Sequence, residues 1–194
     1  MTFFTADQHF GHFNIVRLSH RPFVSLDEMN DTMVARWNAK VRDEDTVYIL
    51  GDLFFRAATV EPILKRLKGR KHHVRGNHDH SWTAKVRMVD YFETVQTVCE
   101  IDIDGKPATL CHYPMLSYPQ ARRGYMIYGH IHNNTGDDYW PLIMRRARML
   151  NAGVDVNNFA PVTFDELLAN NAAFRQQHAA TAYSNPLELF CAEA

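Results

Sequence analysis

Cysteine is scarce: three residues, Cys99, Cys111 and Cys191, in a chain of 194. No two form a CxxC, and an odd count closes no disulfide framework. A reducing, cytoplasmic setting is therefore expected. Long apolar runs are lacking too. None approaches the roughly 18 to 20 residues of a membrane span, so no membrane partner is expected. The N-terminus has no charged segment followed by an apolar stretch, which argues against a secretory signal. Neither sign of charge is in excess: Lys plus Arg number 21 against 22 for Asp plus Glu, a formal net charge of -1. That balance excludes a global basic field able to hold nucleic acid regardless of sequence, and leaves room for a local patch. Internal repeats and low-complexity linkers are missing. A single domain over 1–194 is expected, long enough to bury a sizeable core, with a loosely ordered tail from about residue 176.

Histidine is what the chain has. It holds 11, and "KHHVRGNHDH" (71–80) packs four of them into ten positions. Such a run can be a solvated stretch or part of a metal site, and the placement of the other polar residues decides. "TFFTADQHF" is a short apolar run ending at Asp7, as a buried strand does when it delivers polar groups at its C-terminal end. "SLDE" (25–28) carries a capping-box signature. Leu26, Met29, Met33, Trp37 and Val41 then follow at helical spacing, which predicts about four turns. "TVYILGD" (46–52) is a second strand, "VEPILKRLKG" (60–69) a helix stopped by Gly69, and "KHHV" a third strand. The first half thus reads β-α-β-α-β, the pattern of a parallel sheet. In the second half Asp104-Gly105 marks a hairpin whose second strand ends at His112. "YMIYGHIH" and "ARMLNAGVDV" supply two more strands, and "TFDELLANNAAF" a helix.

Polar residues follow these strands directly: Asp7 and His9, Asp52, Asn77 and His78, His112, and His130 with His132. Ligands gather at the carboxyl ends of strands in α/β sheets, so five such segments favour the metal reading. The set has Asp, His and Asn but no Cys, which argues against thiolate zinc or iron–sulfur sites. Mixed N and O donors suit Mn, Fe, Zn or Ni. Even seven of these eight residues exceed the needs of one tetrahedral ion and suit two ions sharing a carboxylate.

"DQH", "GD", "GNHD", a lone His112 and "GHIH" occur in the order of the D-x-H, G-D, G-N-H-[DE], H, G-H-x-H signature, so the chain resembles the calcineurin-like metallophosphoesterases over residues 7 to 132. The resemblance implies an α/β fold, a four-layer α-β-β-α sandwich of two mixed sheets. It implies that Asp7, His9, Asp52 and His132 hold one metal, with Asp52 bridging to a second completed by Asn77, His112 and His130. Manganese is the favoured ion. His78 is then no ligand; it contacts the phosphoryl group and protonates the leaving oxygen, after attack by a metal-bridging hydroxide. Imidazole is the side chain suited to that proton transfer near neutral pH.

The remaining candidates have plainer alternatives. His72 and His73 alternate between the faces of a strand, and His80 meets solvent. His12 lies close enough to the first motif to touch substrate, while Asn14 beside it reads equally as a helix start. Arg56 can bind phosphate oxygens through its guanidinium fork; Arg122, Arg123 and "RRARM" (145–149) read better as surface charge. Cys111 reads as a small buried group. The second motif departs from the G-D-x-V-D-R-G of the protein Ser/Thr phosphatases: "GDLFFRA" (51–57) has Phe55 where that subgroup has a second Asp. That argues against a protein phosphatase and leaves the partner of His78 open. "DQHFGHFNI" and "NAGVDVN" (151–157) instead resemble small bacterial and phage members, for which phosphodiester hydrolysis is the expectation. The substrate is then a small-molecule phosphoester, a nucleotide or a nucleic-acid end, and no protein partner is implied. A phosphomonoesterase or nuclease on the same metals is the runner-up. A non-catalytic interaction module like the retromer subunit is the reading from another class, although that subunit lacks the histidine present here as His78.

Overall fold

The computed structural model describes residues 1–57 and 60–179. Its strands are β1 (Thr2–Thr5), β2 (Thr46–Leu50), β3 (Arg70–Val74), β4 (Thr94–Gln96), β5 (Val98–Ile103), β6 (Lys106–Cys111), β7 (Tyr125–Tyr128), β8 (Met149–Asn151) and β9 (Val162–Thr163). The helices are α1 (Asn14–Leu18), α2 (Leu26–Lys40), α3 (Glu61–Leu64), α4 (His80–Thr83), α5 (Trp140–Met144) and α6 (Phe164–Gln177). β4-β3-β2-β1 run parallel and β9 closes that sheet antiparallel to β1. The second sheet, β5-β6-β7-β8, begins with an antiparallel hairpin and continues parallel. At the hairpin Asp104 and Gly105 both have positive φ, 50° and 80°, the geometry a two-residue I′ turn demands.

Strand periodicity explains the layering. Because successive side chains point to opposite faces, Phe3, Val47 and Ile49 face an outer core with Met29, Met33 and Trp37 of α2. Their neighbours Phe4 and Leu50 face a middle core with Leu110, Ile127 and Leu150 of the second sheet. Met126, Tyr128 and Met149 point the other way, into a third core that includes Ile143 of α5. Three cores between four layers give the α-β-β-α sandwich. Two of the described helices are long, α2 and α6. Each has an N-cap side chain, Ser25 accepting from the Glu28 N–H and Thr163 from the Glu166 N–H. No described helix is long and apolar enough to cross a membrane.

Two local expectations need correction. Glu28 accepts the N–H of Val24 at 2.7 Å, not that of Ser25, so the box at α2 is only half formed. The reading of Asn14 as a helix start holds: it is the first residue of α1, behind Phe13 at the cap position. The third helix ends at Leu64, well short of Gly69. Beyond it the N–H groups of Arg66 and Leu67 bond back to Ile63 and Leu64 in tighter i to i+3 turns, and the Lys68 N–H donates to Asn38 Oδ1 instead of the Leu64 carbonyl. Gly69 (φ 89°) serves close packing instead: a Cβ there would lie 2.7 Å from Val41. The expected loose tail begins inside α6, which stays helical to Gln177; residues 180–194 of it lie outside the described residues.

Candidate metal centre

The loops leaving β1 and β2 run side by side, bonded through Asp7 N–H to Gly51 O (3.1 Å), His9 N–H to Asp52 O (3.0 Å) and Phe10 N–H to Leu53 O (2.9 Å). This ladder carries the two carboxylates past the sheet edge together. Asp7, His9, Asp52, His130 and His132 all have positive φ, between 51° and 72°. For residues other than glycine that conformation costs on the order of 1–3 kcal/mol each. It is held by the ladder and by the Asp7 carboxylate, which accepts the His130 N–H at 2.9 Å. Gly51 is one point of close approach: with φ 83°, a Cβ there would lie 2.5 Å from His112 Nδ1, and at Gly76 a Cβ would lie 2.2 Å from Asp52 Oδ1.

Five of the seven sequence-derived donors fall in two overlapping groups, and Asn77 and His130 adjoin His112. Donor atoms of Asp7, His9 and His132 lie within 4.8 Å of one another, as do those of Asp7, Asp52 and His112. Asp52 Oδ2 stands between the two groups, 3.6 Å from His9 Nε2 and 3.4 Å from His112 Nε2. His112 Nε2 also lies 3.0 Å from Asn77 Oδ1, and its ring centroid 5.1 Å from that of His130. Among the described residues, His9 is the donor whose two ring nitrogens are both buried and without a hydrogen-bond partner. Burial first, then the charges of His132 and Arg21, push its pKa well below the ordinary value, so the ring is neutral with an unshared lone pair. Burial lifts Asp7 to about 6. At His112 burial pulls downward, but the Asp52 hydrogen bond and the charges of Asp7 and Asp52 outweigh it and raise the pKa to about 9. Neutral imidazole beside two buried carboxylates is a donor set that divalent cations fit, and a proton on His112 partly does their work.

His78 stands at the mouth, its side chain 40% exposed. Its N–H donates to Asp52 Oδ1 at 2.9 Å, and its Nε2 lies 4.0 Å from Asp52 Oδ2. The neighbours of the His78 ring are aromatic: Phe55 packs edge-to-face with it at 4.7 Å, and the His9 ring does so at 5.5 Å. Phe55 also stacks on His12, centroids 3.8 Å apart at 23°, while Arg56 lies over its ring at 5.2 Å. His12 lines a cleft of about 660 Å³ with His9, His78, His130 and His132; Arg56, exposed, stays at the rim. His73 is buried against Trp82, His72 stacks on Tyr48, and His80 is exposed.

Three participants were not singled out from sequence. Asp155 lies 2.8 Å from His132 Nδ1. Arg21 holds Asp155, and Asp79 binds the backbone of the Asp52 loop. Asp155 lies inside "NAGVDVN" and Asp79 inside "GNHD", so a stricter reading of those motifs could have found both.

Comparison with known proteins gives the family. The profile of the calcineurin-like phosphoesterase superfamily domain matches residues 13–157. Asp7 and His9 precede the match and are brought to the site by the fold. An uncharacterized protein of Methanocaldococcus jannaschii is 37% identical over 163 residues, 82% of this chain and 85% of its own. The gene 66 protein of Mycobacterium phage L5 is 26% identical over 189 residues, 79% of this chain and 86% of its own. The crystal structure of a protein of unknown function from Aquifex aeolicus superposes with a TM-score of 0.67 at 28% identity, covering 86% of this chain and 96% of that one.

Proposed function

The chain belongs to the calcineurin-like phosphoesterase superfamily, and from that premise we propose that it is a two-metal phosphoester hydrolase acting on phosphodiesters. The observation that carries the reading is His78, half-exposed at the cleft mouth and 4.0 Å from a buried carboxylate flanked by imidazoles. Asp7, His9, Asp52 and His132 would hold one ion, with Asp52, Asn77, His112 and His130 holding the second, manganese being favoured. Such ions supply positive charge to phosphate oxygens and acidify a water into a nucleophile.

The chain's own residues do the rest. His78 gives its proton to the departing oxygen. Its backbone bond to Asp52 and the Phe55 edge keep the ring at the mouth. His12 and Arg56 contact the substrate from the Phe55 side, Arg56 through its guanidinium fork. Support for diesters comes from the resemblance to small bacterial and phage members; the cleft of about 660 Å³ leaves room for a substrate larger than phosphate, and Phe55 at the position of the protein-phosphatase Asp argues against a protein phosphatase. The odd cysteine count supports a cytoplasmic setting.

The test is hydrolysis of bis-p-nitrophenyl phosphate beside p-nitrophenyl phosphate, on chelator-stripped protein refilled with Mn²⁺, with metal counted on the same sample. Two ions per chain and diester turnover are expected. Monoester turnover alone would shift the reading to a phosphatase. Metal bound with neither ester cleaved would favour a binding module.

A further inference from the structure

We infer that Asp155 and Arg21 form a positioning pair that fixes which nitrogen His132 offers to a cation and ties that ring to the backbone of Asp7. The inference rests on His132 being a metal ligand, as proposed above. Arg21 and Asp155 are 134 residues apart in sequence, yet their side chains are 0% and 1% exposed and meet in a fork. Nε donates to Oδ1 at 2.7 Å and Nη2 to Oδ2 at 3.0 Å. The same guanidinium donates to the main-chain carbonyls of Asp7 (2.7 Å) and Gln8 (2.8 Å).

Asp155, charged and accepting two guanidinium N–H groups, has no proton to give. At 2.8 Å from Oδ2, His132 Nδ1 must therefore be the donor. Its lone pair is left on Nε2. His112 is set the same way through a different partner, Nδ1 lying 2.8 Å from the Leu50 carbonyl. A carboxylate behind a ligating imidazole fixes its tautomer and strengthens it as a donor. One guanidinium thus orients the ring of one ligand through Asp155 and the backbone of another directly. A burial this complete would be costly for either charge alone, so the pair persists as a unit.

The test begins on the unaltered chain. ¹⁵N-histidine protein is filled with Zn²⁺, a diamagnetic stand-in, and long-range ¹H–¹⁵N correlation reads each ring, His132→Ala giving the assignment. The expected result is a proton on His132 Nδ1 and a metal-shifted Nε2. Metal on Nδ1 would overturn the inference and leave the site reading intact; a chain that takes up no Zn²⁺ would sink both. Calorimetric Zn²⁺ binding then separates positioning from simple support of the fold. Asp155→Asn should weaken Zn²⁺ binding about 10- to 100-fold, and should have no further effect in a His132→Ala background. Equal losses in both backgrounds would mean that Asp155 does not act through His132, and would overturn the assignment. Should Asp155→Asn not fold, the tautomer read on the unaltered chain decides alone.

Discussion

The Asp79 carboxylate accepts the backbone N–H of Asp52 at 3.0 Å. It also accepts the N–H groups of Leu53 and Gly76 and the indole N–H of Trp82, at 3.2, 2.7 and 2.6 Å, with His73 Nε2 3.1 Å away. One buried side chain therefore fastens the loop carrying Asp52 to the loop carrying Asn77 and His78. Asp79→Ala would leave these donors unpaired in a dry site, each at a cost of about 1–3 kcal/mol. We predict a loss of at least about 3 kcal/mol in urea unfolding, with metal occupancy falling alongside. A loss under 1 kcal/mol would mean that water replaces Asp79 and that the loops are fastened elsewhere.

Asp79 also predicts an acid limb. Burial would raise its pKa, but the His73 hydrogen bond and charge and the Gly76 and Trp82 N–H groups outweigh burial and hold it at about 2. A depressed carboxylate contributes stability that is present above its ordinary value and lost as pH falls through the folded one. The window therefore runs from about pH 4 down to about 2, worth about 2 kcal/mol. Urea midpoints taken across it should fall in the wild type. Asp79→Asn, less stable throughout, should lack that part of the slope.

These residues show what a sequence displays and what it hides. Phe3, Phe4, Val47, Ile49 and Leu50 announce buried strands because period and composition are local properties, and the polar residues just after them follow from strand ends. Asn77 and His112 were legible as polar residues at strand ends, and only their assignment to a second metal needed the family motif. Phe55 was visible as a missing Asp, but its stacking on His12 depends on how two loops lie together. The pair Arg21 and Asp155 was out of reach, because only the fold makes neighbours of positions 134 apart. The overlong third helix failed for a similar reason: Asn38 of α2 takes the Lys68 N–H that would continue it.

Ligand and acid can be separated by variants. Asp52 Oδ2 lies between His9 and His112, so Asp52→Asn should lose metal and hydrolysis together, as metal analysis beside diester turnover will show. His78 touches the site from its mouth, and His78→Ala should retain both ions while kcat falls by about 10²–10⁴-fold, the range of general acid help. Loss of metal in the His78 variant, or undiminished turnover, would refute its role.

Asp7 carries the opposite linkage. Burial is the main cause of its rise to about 6; Asp52 and Asp155 add to it, and His132 and His112 oppose it. A raised carboxyl contributes stability that is complete below its ordinary value near 3.8 and lost as pH rises through about 6. In chelator-stripped protein the ionised Asp7 therefore costs up to about 3 kcal/mol at pH 7. Asp7→Asn keeps an acceptor for the His130 N–H and removes that cost. The stripped variant should accordingly melt above stripped wild type at pH 7 and match it near pH 4. Added Mn²⁺ should reverse the order at pH 7, because a cation stabilises the carboxylate that the amide has replaced. Scanning calorimetry on the four samples checks the sign at each pH. If stripped wild type is the more stable at pH 7, the Asp7 charge already has a protein partner, and its place facing a cation would have to be given up.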